Sequence, residues 1–251
     1  AHDPAVRLDS LVWRGDRLAA PAAPGLPTGH PPLDAVLPGG GWPQAALTEL
    51  LLPHPGVGEL GLLLPLLAQV APRRWAVCIA PPEPLYAPAL AAAGVPLERL
   101  LVVEAASAAH ARWAARQALA SGSCDVVLLW LAEADLGALR RLQLTAEENA
   151  TPLFLLRPDS LARQPSPAAL RLALAARPGG VEVHILKRRG PPLLHPIPVD
   201  LPGPAGSAST ASGKDPSAGP QPVSAPPPLQ PALRAGPASV HALVRPPPSR
   251  P

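Results

Sequence analysis

The chain has no methionine, one phenylalanine, one tyrosine, two cysteines and only two lysines among its 251 residues. Cys78 and Cys124 each sit in an apolar run that reads as a strand. Buried free thiols are therefore expected, and a disulfide or metal site is not. The seven histidines (2, 30, 54, 110, 184, 195 and 241) show neither H-E-x-x-H nor Cys/His ligand spacing, so no metal and no cofactor is expected. Lys187 and Lys214 stand against plentiful arginine, alanine and proline, which points to a GC-rich genome and not to a functional demand. The missing methionine suggests that the true start is processed or not included. The longest apolar run, Leu60–Val70, is interrupted by Pro65 and is too short to span a bilayer. No signal-peptide pattern is seen, so a cytoplasmic location is the expectation.

What is abundant is proline, 40 residues, densest after Leu201. Pro202–Pro251 is mostly Pro, Ala, Ser and Gly with scattered large apolar residues. Such a segment cannot bury enough surface to offset chain entropy, and it reads as a disordered tail. It also holds the charge excess. Lys214, Arg234, Arg245 and Arg250 face Asp215 alone, which leaves 17 basic and 17 acidic residues before it. The body is thus neutral, and the pI of about 9.4 marks no basic DNA-binding face.

Between the ends, apolar runs alternate with helical patterns. Strands are predicted at 46–52, 75–80, 100–104, 125–131 and 153–156. Helices are predicted at 59–70, 84–93, 107–120 and 135–149, with Ser107 as N-cap and Gly94 and Gly122 as stops. This alternation implies a mainly parallel sheet covered by helices on both faces. After Pro165 the period changes to two. Leu170–Leu174, a turn at Arg177–Gly180 and Val181–Leu186 read as a hairpin, and Leu193–Val199 as a last strand. The fold class is therefore α/β with a C-terminal antiparallel β extension. The divisions are a lead segment at 1–24, one α/β domain at 25–200 and the tail at 201–251.

The stretch from Leu47 to Leu60 is laid out like a phosphate-binding loop: a buried strand, a Pro/Gly turn, then a helix. Against G-x-x-x-x-G-K-[ST], the first glycine position holds Pro53, the second holds Gly58, the lysine position holds Glu59 and the hydroxyl position holds Leu60. Pro53 offers no N–H. Glu59 reverses the charge, which at ~4 Å and an effective dielectric near 20 is worth roughly 4 kcal/mol per charge pair. Leu60 cannot hold magnesium. An ordinary strand–turn–helix with no nucleotide ancestry fits these residues equally well.

The wider chain resembles the core ATPase domain of RecA, a P-loop NTPase fold. The likeness lies in the lead-in Thr28-Gly29, Leu33-Asp34 and Gly39-Gly40-Gly41-Trp42-Pro43, in Leu85-Tyr86-Ala87 with Gly94-Val95, and in Ala118–Leu129. Within that superfamily it resembles the ImuA family of translesion-synthesis accessory proteins. Val12-Trp13-Arg14-Gly15, Gly39–Pro43, Thr48–Leu51, Pro55–Leu60, Ala80–Pro82, Tyr86–Leu90 and Leu186–Gly190 carry this over residues 11–200. The resemblance implies a Walker B aspartate where Trp130 stands, a catalytic carboxylate near Pro82 (Glu83 is one position out of register) and a switch glutamine where Arg157 stands. With lysine, hydroxyl and carboxylates missing or misplaced, no ATPase activity is expected. The family implies a non-catalytic adaptor of SOS-linked mutagenic synthesis. Its partners would be ImuB, an error-prone C-family DNA polymerase and RecA. The alternative is a cell-division inhibitor similar to SulA, which uses a related fold without a P-loop and binds the tubulin-like division protein. A divergent NTPase is a third reading.

Lys187-Arg188-Arg189 is the densest basic cluster and a candidate contact for a partner, or simply a charged strand end. It lacks the neighbouring aromatics of a nucleic-acid site. Trp113 and Trp130 fall in helix and strand patterns and are expected in the core. The tail island Val240–Arg245 could order on a partner or be a fluctuation of composition.

Overall fold

In the computed structural model, residues 23–201 and 240–242 are described. Lead residues 1–22, with the Val12–Gly15 motif, and most of the tail lie outside them. The elements in chain order are α1 (Pro31–Asp34), β1 (Leu47–Leu52), α2 (Glu59–Leu67), β2 (Trp75–Ile79), α3 (Ala87–Ala92), β3 (Leu100–Val103), α4 (Ala108–Ala120), β4 (Cys124–Trp130), α5 (Leu136–Glu148), β5 (Leu153–Pro158), β6 (Leu170–Arg177), β7 (Gly180–Lys187), β8 (Ile197–Asp200) and β9 (Val240–Ala242). They form one sheet of order β8-β7-β6-β1-β5-β4-β2-β3-β9. Strands β1 to β6 pair in parallel. The β6–β7–β8 meander is antiparallel, as the change of period implies.

Two cores result, one on each face. On the first, α1, α2 and α3 cover Leu50, Leu52, Leu128, Phe154 and Leu172. On the second, α4 and α5 cover Leu47, Val77, Val127, Leu153 and Leu155. Consecutive residues of β5 alternate between them, as the period-two pleat requires. The near-continuous apolar runs of the central strands follow from this double burial.

The lead-in has a structural explanation. Thr28 N donates to Asp34 Oδ1 at 2.9 Å, His30 N to Thr28 Oγ1 at 3.0 Å, and His30 Nε2 lies 3.1 Å from Leu62 O in α2. Gly29 (φ 80°) lies so close to α2 that a Cβ would stand 2.4 Å from that of Pro65. Leu26 and Trp42 exchange backbone bonds of 2.7 and 2.8 Å. Trp42 is fully buried, edge-on to Phe154 with centroids 5.2 Å apart, a contact worth about 1 kcal/mol beyond its area. The T-G-H…L-D…G-G-G-W motif therefore fastens residues 25–42 onto the first core.

Several boundaries differ from expectation. Helix α2 stops at Leu67, where Ala68 caps it. Helix α3 starts at Ala87, because Pro84 and Pro88 confine its first turn. The last strand begins only at Ile197, after the prolines at 191, 192 and 196. In the tail, Val240–Ala242 pairs antiparallel with the edge strand β3. This part of the apolar island is ordered against the chain itself; the rest of the tail's expected disorder lies outside the described residues.

Candidate functional site

In an open parallel sheet the loops at the carboxyl ends of the strands form the usual ligand crevice. Here that rim consists of residues 53–58 after β1, 80–86 after β2, 104–107 after β3, 131–135 after β4, the start of the segment after β5 and the turn at 177–180 after β6. It carries Glu83, Glu104, Glu133, Asp135 and Asp159 against Arg163 and Arg177, the latter paired with Asp200. A polyphosphate approaching it meets repulsion before any contact is made.

The β1–α2 loop turns through Gly56 (φ 81°) and Gly58 (φ 122°). Both conformations expose backbone N–H groups on the loop's inner side, an arrangement suited to anions. The helix that follows supplies the anion itself. Gly56 N donates to Glu59 Oε1 at 2.9 Å and Gly58 N to Glu59 Oε2 at 3.1 Å. The Glu59 side chain is only 3% exposed. Its carboxylate is thus a built-in ligand for the loop, placed at the helix N-terminus, where negative charge is favoured. Behind the loop, a Cβ on Gly58 would stand 2.6 Å from Val181 Cγ1 and 2.9 Å from Leu201 Cδ1. The extension β7–β8 therefore packs directly against the turn. Pro53 is exposed and Leu60 leans on the first core.

The remaining positions implied by the RecA resemblance fall as follows. Trp130 ends β4 half-buried on the α2 side, with its indole Nε1 enclosed and without a hydrogen-bond partner. An indole thus stands at the position where the resemblance implies a carboxylate. Pro82 and Glu83 are exposed, beyond the left-handed turn at Ala80 (φ 52°). Arg157 is buried and serves the fold. Its Nη1 lies 2.8 Å from Glu49 Oε1 and its Nη2 lies 3.1 Å from Ala132 O. Arg171 binds the other oxygen of Glu49 and the carbonyls of Leu161 and Ala162. Glu49 is 0% exposed. One carboxylate thus holds two guanidinium groups from neighbouring strands, which in turn tie down the loops after β4 and β5.

Lys187, Arg188 and Arg189 are not part of the rim. Strand β7 runs against β6, so Lys187 pairs with Arg171 at the opposite edge of the sheet. Lys187 Nζ donates to Ser166 O at 3.0 Å, and Arg188 donates to Pro191 O at 3.0 Å and to Val36 O. These two side chains bind local carbonyls. The three residues border a groove with Gln44, Gln143 and Glu147.

One expectation is corrected. Trp113 is 62% exposed, not part of the core. The core stripe of α4 is Ala111, Ala115 and Leu119, and at 100° per residue Trp113 lies about 200° away from Ala111. That stripe was readable in the sequence. Cys78 and Cys124 are free and buried, and desolvation pushes the Cys78 thiol up to about 12. No group of three or more His, Cys, Asp or Glu side chains suited to a metal occurs among the described residues. No helix among them is long and apolar enough to cross a membrane.

The family described as cell division inhibitor SulA matches residues 47–152, from β1 to the entry of β5. The chain is 32% identical over 111 residues to the cell division inhibitor SulA of Photorhabdus laumondii, covering 44% of this chain and 63% of that protein. It is 34% identical over 102 residues to the cell division inhibitor SulA of Escherichia coli O81, covering 39% and 60%. The chain thus spans under two thirds of the length of the curated relatives it matches. The structure of SulA from Pseudomonas aeruginosa is similar at 29% identity and a TM-score of 0.38, over 44% of this chain and 97% of that one. Residues 47–152 are thus similar to SulA proteins. These relatives support the division-inhibitor alternative more than the translesion reading.

Proposed function

We propose that this protein is a non-catalytic effector that works by binding another protein, and that it acts as a division inhibitor in the manner the names of its relatives state. The observation that carries the non-catalytic part is the Glu59 carboxylate seated on the amides of Gly56 and Gly58. A triphosphate would have to displace this carboxylate and then find neither lysine, hydroxyl nor magnesium ligand. The partner in this reading is the tubulin-like division protein. The test is its polymerisation, followed by light scattering with and without the full chain. Suppression at about one chain per protomer supports the reading, and unchanged polymerisation removes it.

A second reading is favoured by what lies outside the matched segment. The lead-in at 25–46 is fastened to α2, the β7–β8 extension packs against Gly58 of the β1–α2 loop, and both carry motifs of the ImuA resemblance. In this reading the chain is an adaptor for ImuB, RecA and an error-prone C-family polymerase. Affinity purification from DNA-damaged cells tests it. Absence of both ImuB and RecA from the purified material removes it, whatever the polymerisation assay gives.

A further inference from the structure

Helices α4 and α5 lie side by side on the second face of the sheet, each using one stripe to cover the core. Their outward sides enclose an open cleft bordered by Arg112, Trp113, Arg116 and Arg141. Trp113 and Arg116 are one helical turn apart on α4, as are Arg112 and Arg116, so the three share a surface. Arg140 and Arg141 are exposed on α5. Helix α4 contains no acidic residue. Among the described residues no carboxylate lines the cleft itself, and the acids beside it keep their charge but turn to donors of their own helix. Asp135 Oδ1 accepts from Ala138 N at 2.6 Å as the N-cap of α5, and Glu147 Oε1 accepts from Gln143 Nε2 at 2.5 Å. Glu133 reaches the cleft through its backbone, whose carbonyl accepts from Arg112 at 3.3 Å. The flank is therefore a local excess of guanidinium groups around an indole that is mostly in water. It lies within a body whose basic and acidic residues balance.

The geometry points to a docking surface for single-stranded nucleic acid on the α4–α5 flank, with a base stacked on Trp113 and phosphates on Arg112, Arg116 and Arg141. Charge complementarity calls for a polyanion. The aromatic selects which polyanion. An exposed flat ring flanked by guanidinium groups is the platform on which unpaired bases stack, and it tolerates any sequence because every base has a π-face. An acidic peptide would use the charges but would leave the indole without a matched partner. Duplex DNA keeps its base faces stacked and out of reach of the ring. The feature is independent of which protein partner the rim serves.

The test is fluorescence anisotropy of a labelled oligothymidylate titrated with the full chain at about 50 mM salt, repeated at rising salt. Saturable binding is expected, with a slope of log K against log salt of about −2 for three phosphate contacts at ~0.7 each on a single strand. Trp113→Ala should weaken binding about tenfold or more, the loss of one stacked base. Arg116→Ala and Arg141→Ala should each reduce the slope by about 0.7. All three positions are exposed, so circular dichroism and melting of the variants should match the parent. Lys214→Ala with Arg234→Ala, in the basic tail, should leave the Trp113 dependence intact. Absence of binding at low salt overturns the inference. So does binding that Trp113→Ala leaves unchanged, or a Trp113-dependent capture of polyglutamate with none of the oligonucleotide.

Discussion

The rim at the carboxyl ends of the strands and the α4–α5 flank are opposites. The rim is where a fold of this kind would bind a nucleotide, yet its one anion-binding loop is occupied by the chain's own Glu59, and its other loops carry mostly carboxylates. The flank has no such ancestry to suggest a site, yet it presents unmatched arginines and an exposed indole. The amides of the rim's anion loop are satisfied internally, whereas the Trp113 ring of the flank stands in water. The difference teaches that a loop's shape and its availability are separate properties. The backbone of residues 53–58 keeps the geometry of an anion cradle, while a single side chain decides whether the cradle is open.

The largest effect in breaking this comparison belongs beneath the rim. Glu49→Gln leaves Arg157 and Arg171 buried without their counter-charge, and the expected loss is about 3–5 kcal/mol in denaturant unfolding. An unchanged midpoint would mean that the rim loops are not held from below. Next comes Gly58→Ala. It forces a Cβ onto Val181 and Leu201 at φ 122°, and a loss of about 1–3 kcal/mol is expected from strain and overpacking. Third, Glu59→Ala leaves the two loop amides without their carboxylate and should cost about 1–2 kcal/mol. Glu59→Lys should cost as much and create no nucleotide binding, because Pro53, Leu60 and Trp130 remain; fluorescent-nucleotide titration reads this directly. The smallest effect sharpens the other half. Trp113→Ala should move stability by no more than about 0.5 kcal/mol, since the ring is already in water. A larger loss would return Trp113 to the core. The thiols supply a control for intactness. With its proton held up to about 12 by burial, Cys78 carries almost no thiolate near neutrality. It should resist an alkylating reagent in the native protein and react once the chain is unfolded.

Much of the fold was legible because periodicity is local. The strands from β1 to β5, the helices between them and the β6–β7 hairpin follow from runs, caps and turns within about a dozen residues. That Glu59, Leu60 and Trp130 stand where the resemblance implies lysine, hydroxyl and carboxylate was legible from the residue types alone. What could not be read was closure over distance or through rotamer. Nothing local says that Glu49 meets Arg157 and Arg171, 108 and 122 residues away in sequence. Nor does charge repulsion at Glu59 disclose that its carboxylate folds back onto two amides. Lys187 and Arg188 were visible as charge, but the carbonyls of Ser166, Pro191 and Val36 that receive them were not. Trp113 is a different case. The Ala111–Ala115–Leu119 stripe marked the buried side of α4, and hydrophobicity alone misplaced the ring.

The β1–α2 loop is closed by its own carboxylate, and under the proposed function the protein works by contact and not by turnover. Titration calorimetry of the full chain with Mg-ATP tests this most directly. The expected trace is heat of dilution alone up to millimolar nucleotide, with no phosphate released. A saturable micromolar isotherm that is abolished by Gly56→Val would contradict it.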